Sequence, residues 1–379
     1  MKYILNFYNQ SSAGTGMLAK TFIAYLHKVK DVNDEFTIIL PRAPFYGDLK
    51  PQQKDGIKIF YVPFFRGVKK IVFRFFYDII IFPMITLFLR PRGVLVFGNF
   101  SVVPLLFKKV VLCHHPHLVD DVLLSKYGFK SRMLERIKRL LFFLTTLSCG
   151  NVVVESLFMK NALIKKYNVS EESIRVIRNS ISESLLAMKS GGEASIPFKE
   201  RKSILYVSRF SLHKNYGFLL DLADKYRKDI EKMQLEFCIT IDINLNREAN
   251  KLIDDIKTKK LGHIIKNLGE LSHEKLAPYY QKSLCLFFPS SSETFGIPLV
   301  EAMFFELPII LPNLPYAYSM CDDSALYYNL DNYEDAFRKI CYICNEHNWE
   351  IYSEKSGQQF AKFPSPEEWV AKYLELLKR

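Results

Sequence analysis

Two glutamates, Glu293 and Glu301, are separated by seven residues in the run Glu-Thr-Phe-Gly-Ile-Pro-Leu-Val-Glu. An ionised carboxylate is acceptor-only and can grip vicinal hydroxyls with both oxygens. The pair therefore suits a ligand with two hydroxylated ends. Phe295, Gly296 and Ile297 lie between the acids, and Pro298 follows. Gly and Pro flanking a helix start leave backbone N–H groups pointing outward there. An acid in a first turn followed by a surface helix acid gives the same pattern, so the run alone does not decide.

Three other constellations could do related chemistry. Arg209 and Lys214 sit five residues apart in Ser-Arg-Phe-Ser-Leu-His-Lys-Asn. A planar fork and a point charge across one loop suit a diphosphate, although a surface loop with two charges would look alike. Gly14-Thr15-Gly16 falls between an apolar run and a helical pattern. Glycines there let backbone N–H groups approach a phosphate; an ordinary strand-to-helix turn is the plain alternative, since the Walker lysine and the full dinucleotide fingerprint are missing. Cys113-His114-His115-Pro116-His117 directly follows another apolar run. No carboxylate or cysteine companion stands at ligand spacing, though Asp120 and Asp121 are near, so no metal is expected. A histidine at a strand end that hydrogen-bonds a substrate is the functional reading, and a solvated loop histidine the bland one.

The elements that must position these groups alternate. Tyr3–Phe7, Phe36–Leu40, Ile57–Val62, Val94–Phe97, Val110–Cys113, Val152–Val154 and Val176–Ile181 read as strands, with Met17–Lys28 as the first helix after the loop 11–16. The segment 189–197 is rich in small residues and reads as a linker. Ile204–Val207, Leu235–Ile241, His263–Lys266, Leu284–Phe288, Ile309–Leu311 and Ala325–Tyr328 restart the pattern. Strands alternating with helices predict α/β domains with parallel sheets, and a cleft between two such domains is the default ligand site. The expected division is 1–185, 186–362 and a last helix in 363–379 that crosses back to the first domain.

Composition narrows the class. The chain has 379 residues, 49% hydrophobic and 24% charged, which is globular. Seven scattered cysteines suggest a reducing compartment, and Cys341, Cys344 and His347 lie in a helical pattern without a second pair. Met1-Lys2 leads straight into a strand, so no signal peptide is expected. The longest apolar run, Ile79–Leu89, is broken by Pro83 and is short of the ~20 residues of a spanning helix. A cytoplasmic protein is expected. Its charge of +12 is uneven: residues 1–182 hold 27 Lys and Arg against 12 Asp and Glu. In Phe64–Arg92 and in Ser131–Leu144 basic residues interleave with large apolar ones, which suits an anionic membrane surface; core helices with solvated charged faces are the alternative. No nucleic-acid module is visible, so nucleic acid is not an expected partner.

Taken together, these pieces resemble the glycosyltransferases of the GT-B fold, in particular the retaining family-4 type. The likeness rests on Glu293 to Glu301, on Leu205-Tyr-Val-Ser-Arg209 with Lys214-Asn215, on Asn267-Leu-Gly269 with Leu276 to Tyr280, and on Val176-Ile-Arg-Asn179-Ser-Ile. It implies an α/β architecture of two Rossmann-like parallel-sheet domains facing across a cleft. It implies that Arg209 and Lys214 neutralise the donor diphosphate, that Glu301 holds ribose hydroxyls, and that Glu293 holds the donor sugar with the N–H groups of Phe295, Gly296 and Ile297. Gly16 and Gly14 would sit near the phosphates, and His114, or failing it His115, would contact the transferred sugar. The implied donor is a UDP- or GDP-sugar, with no cofactor and no metal. The implied acceptor is a glycan, lipid-linked, in bacterial cell-surface polysaccharide synthesis, with the enzyme peripheral on the inner face of the cytoplasmic membrane. A catalytically silent scaffold of the same fold, or a sugar-nucleotide epimerase or hydrolase, would share these motifs. Two departures stand out: the domain exit carries Asn179-Ser180 in place of Asn-Gly, and Thr15 splits the glycine pair.

Overall fold

In the computed structural model, fourteen strands form among the described residues. They are β1 (Lys2–Asn6), β2 (Glu35–Pro41), β3 (Gln53–Lys54), β4 (Ile57–Val62), β5 (Gly93–Phe97), β6 (Lys108–Cys113), β7 (Asn151–Val154), β8 (Ile174–Val176), β9 (Ser203–Tyr206), β10 (Glu236–Ile239), β11 (Ile265–Asn267), β12 (Cys285–Phe287), β13 (Ile309–Pro312) and β14 (Ala325–Tyr328). The structure describes all residues except 11–12, 48, 50–52, 55, 66, 102–105, 126, 190–195 and 379, and describes backbone only at 13–14, 53–54, 67–68 and 70–71. Ser11, Ser12, Arg66 and most of the linker therefore lie outside the described residues.

The chain divides into two compact units, Met1–Ser182 with Pro364–Arg379, and Glu183–Phe363. In the first, the sheet order is β3-β4-β2-β1-β5-β6-β7-β8. Every pairing is parallel except β3 with β4. In the second, the order is β11-β10-β9-β12-β13-β14, all parallel. Parallel strands covered on both faces read as continuous apolar runs, and β5 (Gly-Val-Leu-Val-Phe) and β13 (Ile-Ile-Leu-Pro) are buried throughout. The expected α/β architecture of two parallel-sheet units is present.

The sheets place their own ligand positions. β1 pairs with β2 on one side and β5 on the other, so the strand order reverses there. β9 does the same between β10 and β12. Loops leaving the carboxyl ends at such a reversal diverge to opposite faces and leave a crevice. Arg209, Lys214 and Glu293 belong to loops at the second reversal.

Helices cover both faces of the first sheet. On one face, the helix Ala13–Val29 packs with the C-terminal helix Pro366–Lys378 through Phe22, Trp369 and Tyr373, whose rings meet edge to face with Phe97 nearby. On the other face, Tyr77 and Phe82 from the segment Gly67–Leu89, and Phe142 from the helix Phe129–Ser148, join Val96, Val111 and Val152 in one buried cluster.

Three expectations need correction. The first helix begins at Ala13, not Met17, so Gly14 and Gly16 lie in its first turn instead of a loop. A Cβ at Gly16 would lie 2.6 Å from Phe45 Cε1, so this glycine admits a close ring contact. The strand expected at Val176–Ile181 is Ile174–Val176. The apolar segment is not broken at Pro83. Helix Gly67–Phe76, a π-helical turn Tyr77–Ile81 and helix Phe82–Leu89 run on without a gap, and the π-helical turn lies directly before Pro83, where a proline perturbs the ladder. The window Val72–Leu89 is thereby long and apolar enough to cross a membrane by length and composition.

Candidate functional site

The second unit gathers most of the expected residues at the reversal between β9 and β12. The loop after β9 ends in a 3-10 turn, Leu212–Lys214, and Asn215 takes a left-handed φ of 53° before the helix Tyr216–Lys225. Asparagine tolerates that conformation at little cost. The His213 carbonyl accepts the Ser291 N–H at 2.7 Å, the Ser290 hydroxyl at 3.1 Å and the Ser291 hydroxyl at 3.2 Å. The serine cluster after β12 is thus stitched to the loop after β9. Three buried tyrosines brace this stitch. Tyr206 donates to the Lys214 carbonyl, Tyr216 to the Ser208 carbonyl at 2.8 Å, and Tyr316 to the Ser290 carbonyl at 2.6 Å. Burial pushes all three phenols up, so they remain protonated donors.

On this frame Lys214 Nζ forms an ion pair with Glu293 Oε1, and both side chains are largely out of water. The ammonium also lies 5.2 Å from the centre of the Phe288 ring. Arg209 is exposed. No ion pair of its guanidinium occurs among the described residues. Gly296 caps the helix Ile297–Phe304 with φ 81°, a conformation that L side chains rarely adopt. A Cβ there would also meet Leu299 Cδ1 at 2.9 Å. Phe295 is buried and packs edge-on against Phe363.

Glu301 points inward. It is 3% exposed; Tyr280 donates to its Oε2 at 2.7 Å, and His273 Nε2 lies 3.5 Å from its Oε1. His273 Nδ1 in turn meets the Ser184 hydroxyl at 3.4 Å. Sequence reasoning did not single out His273, and placed Tyr280 only at the end of a matching run. The signal for Tyr280 was its i,i+4 spacing from Leu276, since both are buried on one side of the helix His273–Lys282.

The first unit holds the histidines. His114 leaves the end of β6, and its N–H is accepted by Asn99 Oδ1 at 2.8 Å. Asn99 is itself left-handed, with φ 71°, and its N–H binds the Leu112 carbonyl. Burial, the neighbouring His115 and Arg74 push the His114 imidazole down to about 4, so it is neutral at physiological pH. His115 is committed elsewhere: its Nε2 lies 2.7 Å from Glu135 Oε2, while Lys138 reaches Glu135 Oε1 at 2.6 Å. Burial pushes Glu135 up, but His115 and Lys138 outweigh it and hold the carboxyl at about 2. A carboxylate companion for the histidine cluster does exist, then, on a helix twenty residues away. Asp121 is taken by Arg139 and Lys166, and Asp120 accepts the Leu123 N–H. Among the described residues no group of three or more His, Cys, Asp or Glu could hold a metal ion.

One further group is near. Arg74 and Asp78 pair at 3.4 Å on the segment Gly67–Leu89, with Asp78 buried beside Tyr77 and Tyr8. Burial raises Asp78 to about 6 against the pull of Arg74. The i,i+4 spacing of Arg74 and Asp78 is a local signal for this pair, whereas the burial of Asp78 is not.

Residues 193–325 match the family described as glycosyl transferases group 1. The chain is 27% identical over 255 residues to the O-antigen chain mannosyltransferase RfbU of Salmonella typhimurium strain LT2. That match covers 64% of each protein, so it leaves about a third of the relative unmatched. Among solved structures, Alr3699/HepE of Anabaena, in complex with UDP and glucose, superposes with a TM-score of 0.71 at 14% identity over 100% of this chain and 99% of that one. WaaG, a glycosyltransferase involved in lipopolysaccharide biosynthesis, does so with a TM-score of 0.68 at 10% identity over 100% and 99%. At these identities the likeness is one of fold, the GT-B arrangement of two parallel-sheet units.

Proposed function

We propose, from the match of residues 193–325 to the glycosyl transferases group 1, that this chain is a retaining, metal-independent hexosyltransferase. It moves a sugar from a UDP- or GDP-sugar to a lipid-linked glycan in cell-surface polysaccharide synthesis, acting in the cytoplasm. The observation that carries the reading is the pairing of Lys214 with Glu293 past the carboxyl ends of the neighbouring strands β9 and β12, with an exposed Arg209 on the same loop as Lys214. One loop offers two cations, and the loop stitched to it offers a carboxylate and a helix start. Diphosphate and hydroxylated sugar need that combination.

Breaking the anomeric C–O bond puts negative charge on the departing diphosphate and positive charge on the sugar. Arg209 and Lys214 stabilise the first, in a site whose dipoles are already fixed by Tyr206, Tyr216 and Tyr316. Glu293 accepts sugar hydroxyls, joined by the N–H groups of Phe295, Gly296 and Ile297, and Glu301 accepts the ribose hydroxyls. Gly14 and Gly16 bring the first turn of their helix toward the phosphates. His114, held neutral, hydrogen-bonds the transferred sugar without adding charge, and His115 orients its loop. Retention follows from attack on the leaving-group face, with a donor phosphate oxygen taking the acceptor's proton. The curated relative, named a mannosyltransferase, supports a hexose donor.

Thermal denaturation against a panel of UDP- and GDP-sugars tests the reading, because ligands of the folded state raise Tm with affinity and concentration. One sugar nucleotide should raise Tm and release its nucleoside diphosphate slowly, and Arg209→Ala should abolish both effects. A protein that no nucleoside-diphosphate sugar stabilises is not this enzyme.

A further inference from the structure

Glu301 is the one charged residue of the helix Ile297–Phe304, and from Leu299 to Phe304 every other residue is apolar and buried. The packing of that helix does not call for an acid, since apolar side chains of similar volume often replace buried charges at no loss of stability. Two groups nonetheless serve the carboxylate. The Tyr280 hydroxyl donates to Oε2 at 2.7 Å, and His273 Nε2 lies 3.5 Å from Oε1. His273 and Tyr280 are seven residues apart in the helix His273–Lys282, two turns that bring them onto one side. Helix starts favour acids, so local propensity does not account for a histidine at the first position. A third element places its ring. The Ser184 hydroxyl of the helix Glu183–Lys189 lies 3.4 Å from His273 Nδ1, and the two helices pack together. A carboxylate only accepts, so the proton belongs on Nε2, and Nδ1 accepts from Ser184.

We propose that His273 is a positioning residue for the donor: it holds Oε1 of Glu301 as Tyr280 holds Oε2, so that the carboxylate meets both hydroxyls of the donor ribose at once. The proposal rests on the reading of Glu301 as the ribose acceptor. A carboxylate has about four lone-pair sites. One on each oxygen is turned to the helix His273–Lys282, which leaves one on each oxygen for a ligand. Two hydroxyls on neighbouring ring carbons match that arrangement. A carboxylate fixed at one oxygen can still turn about its last torsion, which is broad, and lose the second hydroxyl. With both oxygens held, the turn is blocked, and the direction of both acceptors is set before the ribose arrives. His273 thus selects a ribonucleotide over its 2′-deoxy form without touching the ligand.

Calorimetric titration of the full chain with UDP, GDP and their 2′-deoxy forms tests it. The native protein should bind one ribonucleotide roughly tenfold tighter than its 2′-deoxy form, as a hydrogen bond to a charged group allows. His273→Leu should bind that ribonucleotide roughly tenfold more weakly and the 2′-deoxy form as the native protein does, so that discrimination is lost. His273→Gln keeps a donor where Nε2 stands and should restore discrimination. His273→Asn puts its donor where Nδ1 stands and should not. This second pair decides the matter even where His273→Leu does not fold. In turnover the donor KM of His273→Asn should rise while kcat holds, since the lost contact is uniform binding. Equal weakening of both nucleotides in His273→Leu, or full discrimination by His273→Asn, makes the histidine a structural residue and overturns the proposal, with Glu301 still at the ribose. A native protein that binds both forms equally overturns the reading of Glu301 and the proposal with it.

Discussion

Lys214 and Glu293 are 79 residues apart in the chain, yet their charges meet past the carboxyl ends of the paired strands β9 and β12. The lysine side chain is 14% exposed and the glutamate 10%. Removing one partner of such a pair strands the other charge. Lys214→Met should therefore cost about 3–5 kcal/mol in urea denaturation, and the double variant Lys214→Met/Glu293→Gln should recover most of that loss. Turnover should not recover with stability, because the cation beside the leaving group is absent in both proteins, and kcat should fall about 10²–10³-fold. Equal stability of Lys214→Met and the native protein would show that the pair is solvated.

Tyr280 is the next test. Its hydroxyl is the buried donor to Glu301 Oε2. Tyr280→Phe keeps the ring that stacks on Phe305 and removes only that donor. The expected cost is about 1–3 kcal/mol, the desolvation of one carboxylate oxygen left unmatched. If Glu301 serves the ribose, the donor KM should rise and kcat should change little, since the lost contact is uniform binding. A kcat effect with unchanged KM would argue against that assignment.

His114 and Asp78 should mask each other's titration. Folding holds His114 at about 4 against an unfolded 6.5, so between those pH values the unfolded chain keeps a proton that the folded chain sheds, and stability falls as pH falls. Burial sends His115 in the same direction. Folding holds Asp78 at about 6 against 3.8, so the folded chain keeps the proton and stability rises as pH falls. The windows overlap and the signs oppose. Relative to the native protein, His114→Gln should lose less stability as pH drops from 6 to 4, and Asp78→Asn should lose more, each difference up to about 3 kcal/mol. Urea melts of the first unit across that range decide it. Two flat profiles would mean that neither group is desolvated.

Most strands were legible because parallel strands, covered on both sides, must be apolar from end to end. β3 was not, since Gln53–Lys54 is two polar residues on an edge. The start of the first helix was misplaced because Gly14 and Gly16 read as a loop, whereas Gly16 answers to Phe45, far along the chain. Arg209, Lys214 and Glu293 were legible as loop residues at strand ends, since a reversal in strand order brings such loops together wherever it occurs. Glu135 and Asp78 were not, because their partners or their burial depend on helices packed from elsewhere. The helix Phe129–Ser148 was legible only as two alternatives. Its apolar side suits a membrane surface or a core from sequence alone, and in the structure Met133, Ile137, Leu140 and Leu144 are exposed.

Trp369 tests the hold of the C-terminal helix on the first unit. It is fully buried against Phe22, Phe97 and Tyr373. Among the described residues its indole Nε1 has no hydrogen-bond partner, so the ring contributes through packing. Trp369→Phe should then cost about 1–3 kcal/mol from the volume lost, with no further penalty for a broken hydrogen bond. Trp369→Ala should cost about 3–5 kcal/mol, which is a large fraction of a domain's whole stability. Because the ring belongs to the first unit, the loss should fall on one transition of a biphasic melt and leave the second unit's transition, followed by Trp349 fluorescence, where it was. Equal shifts of both transitions would show that the units unfold together.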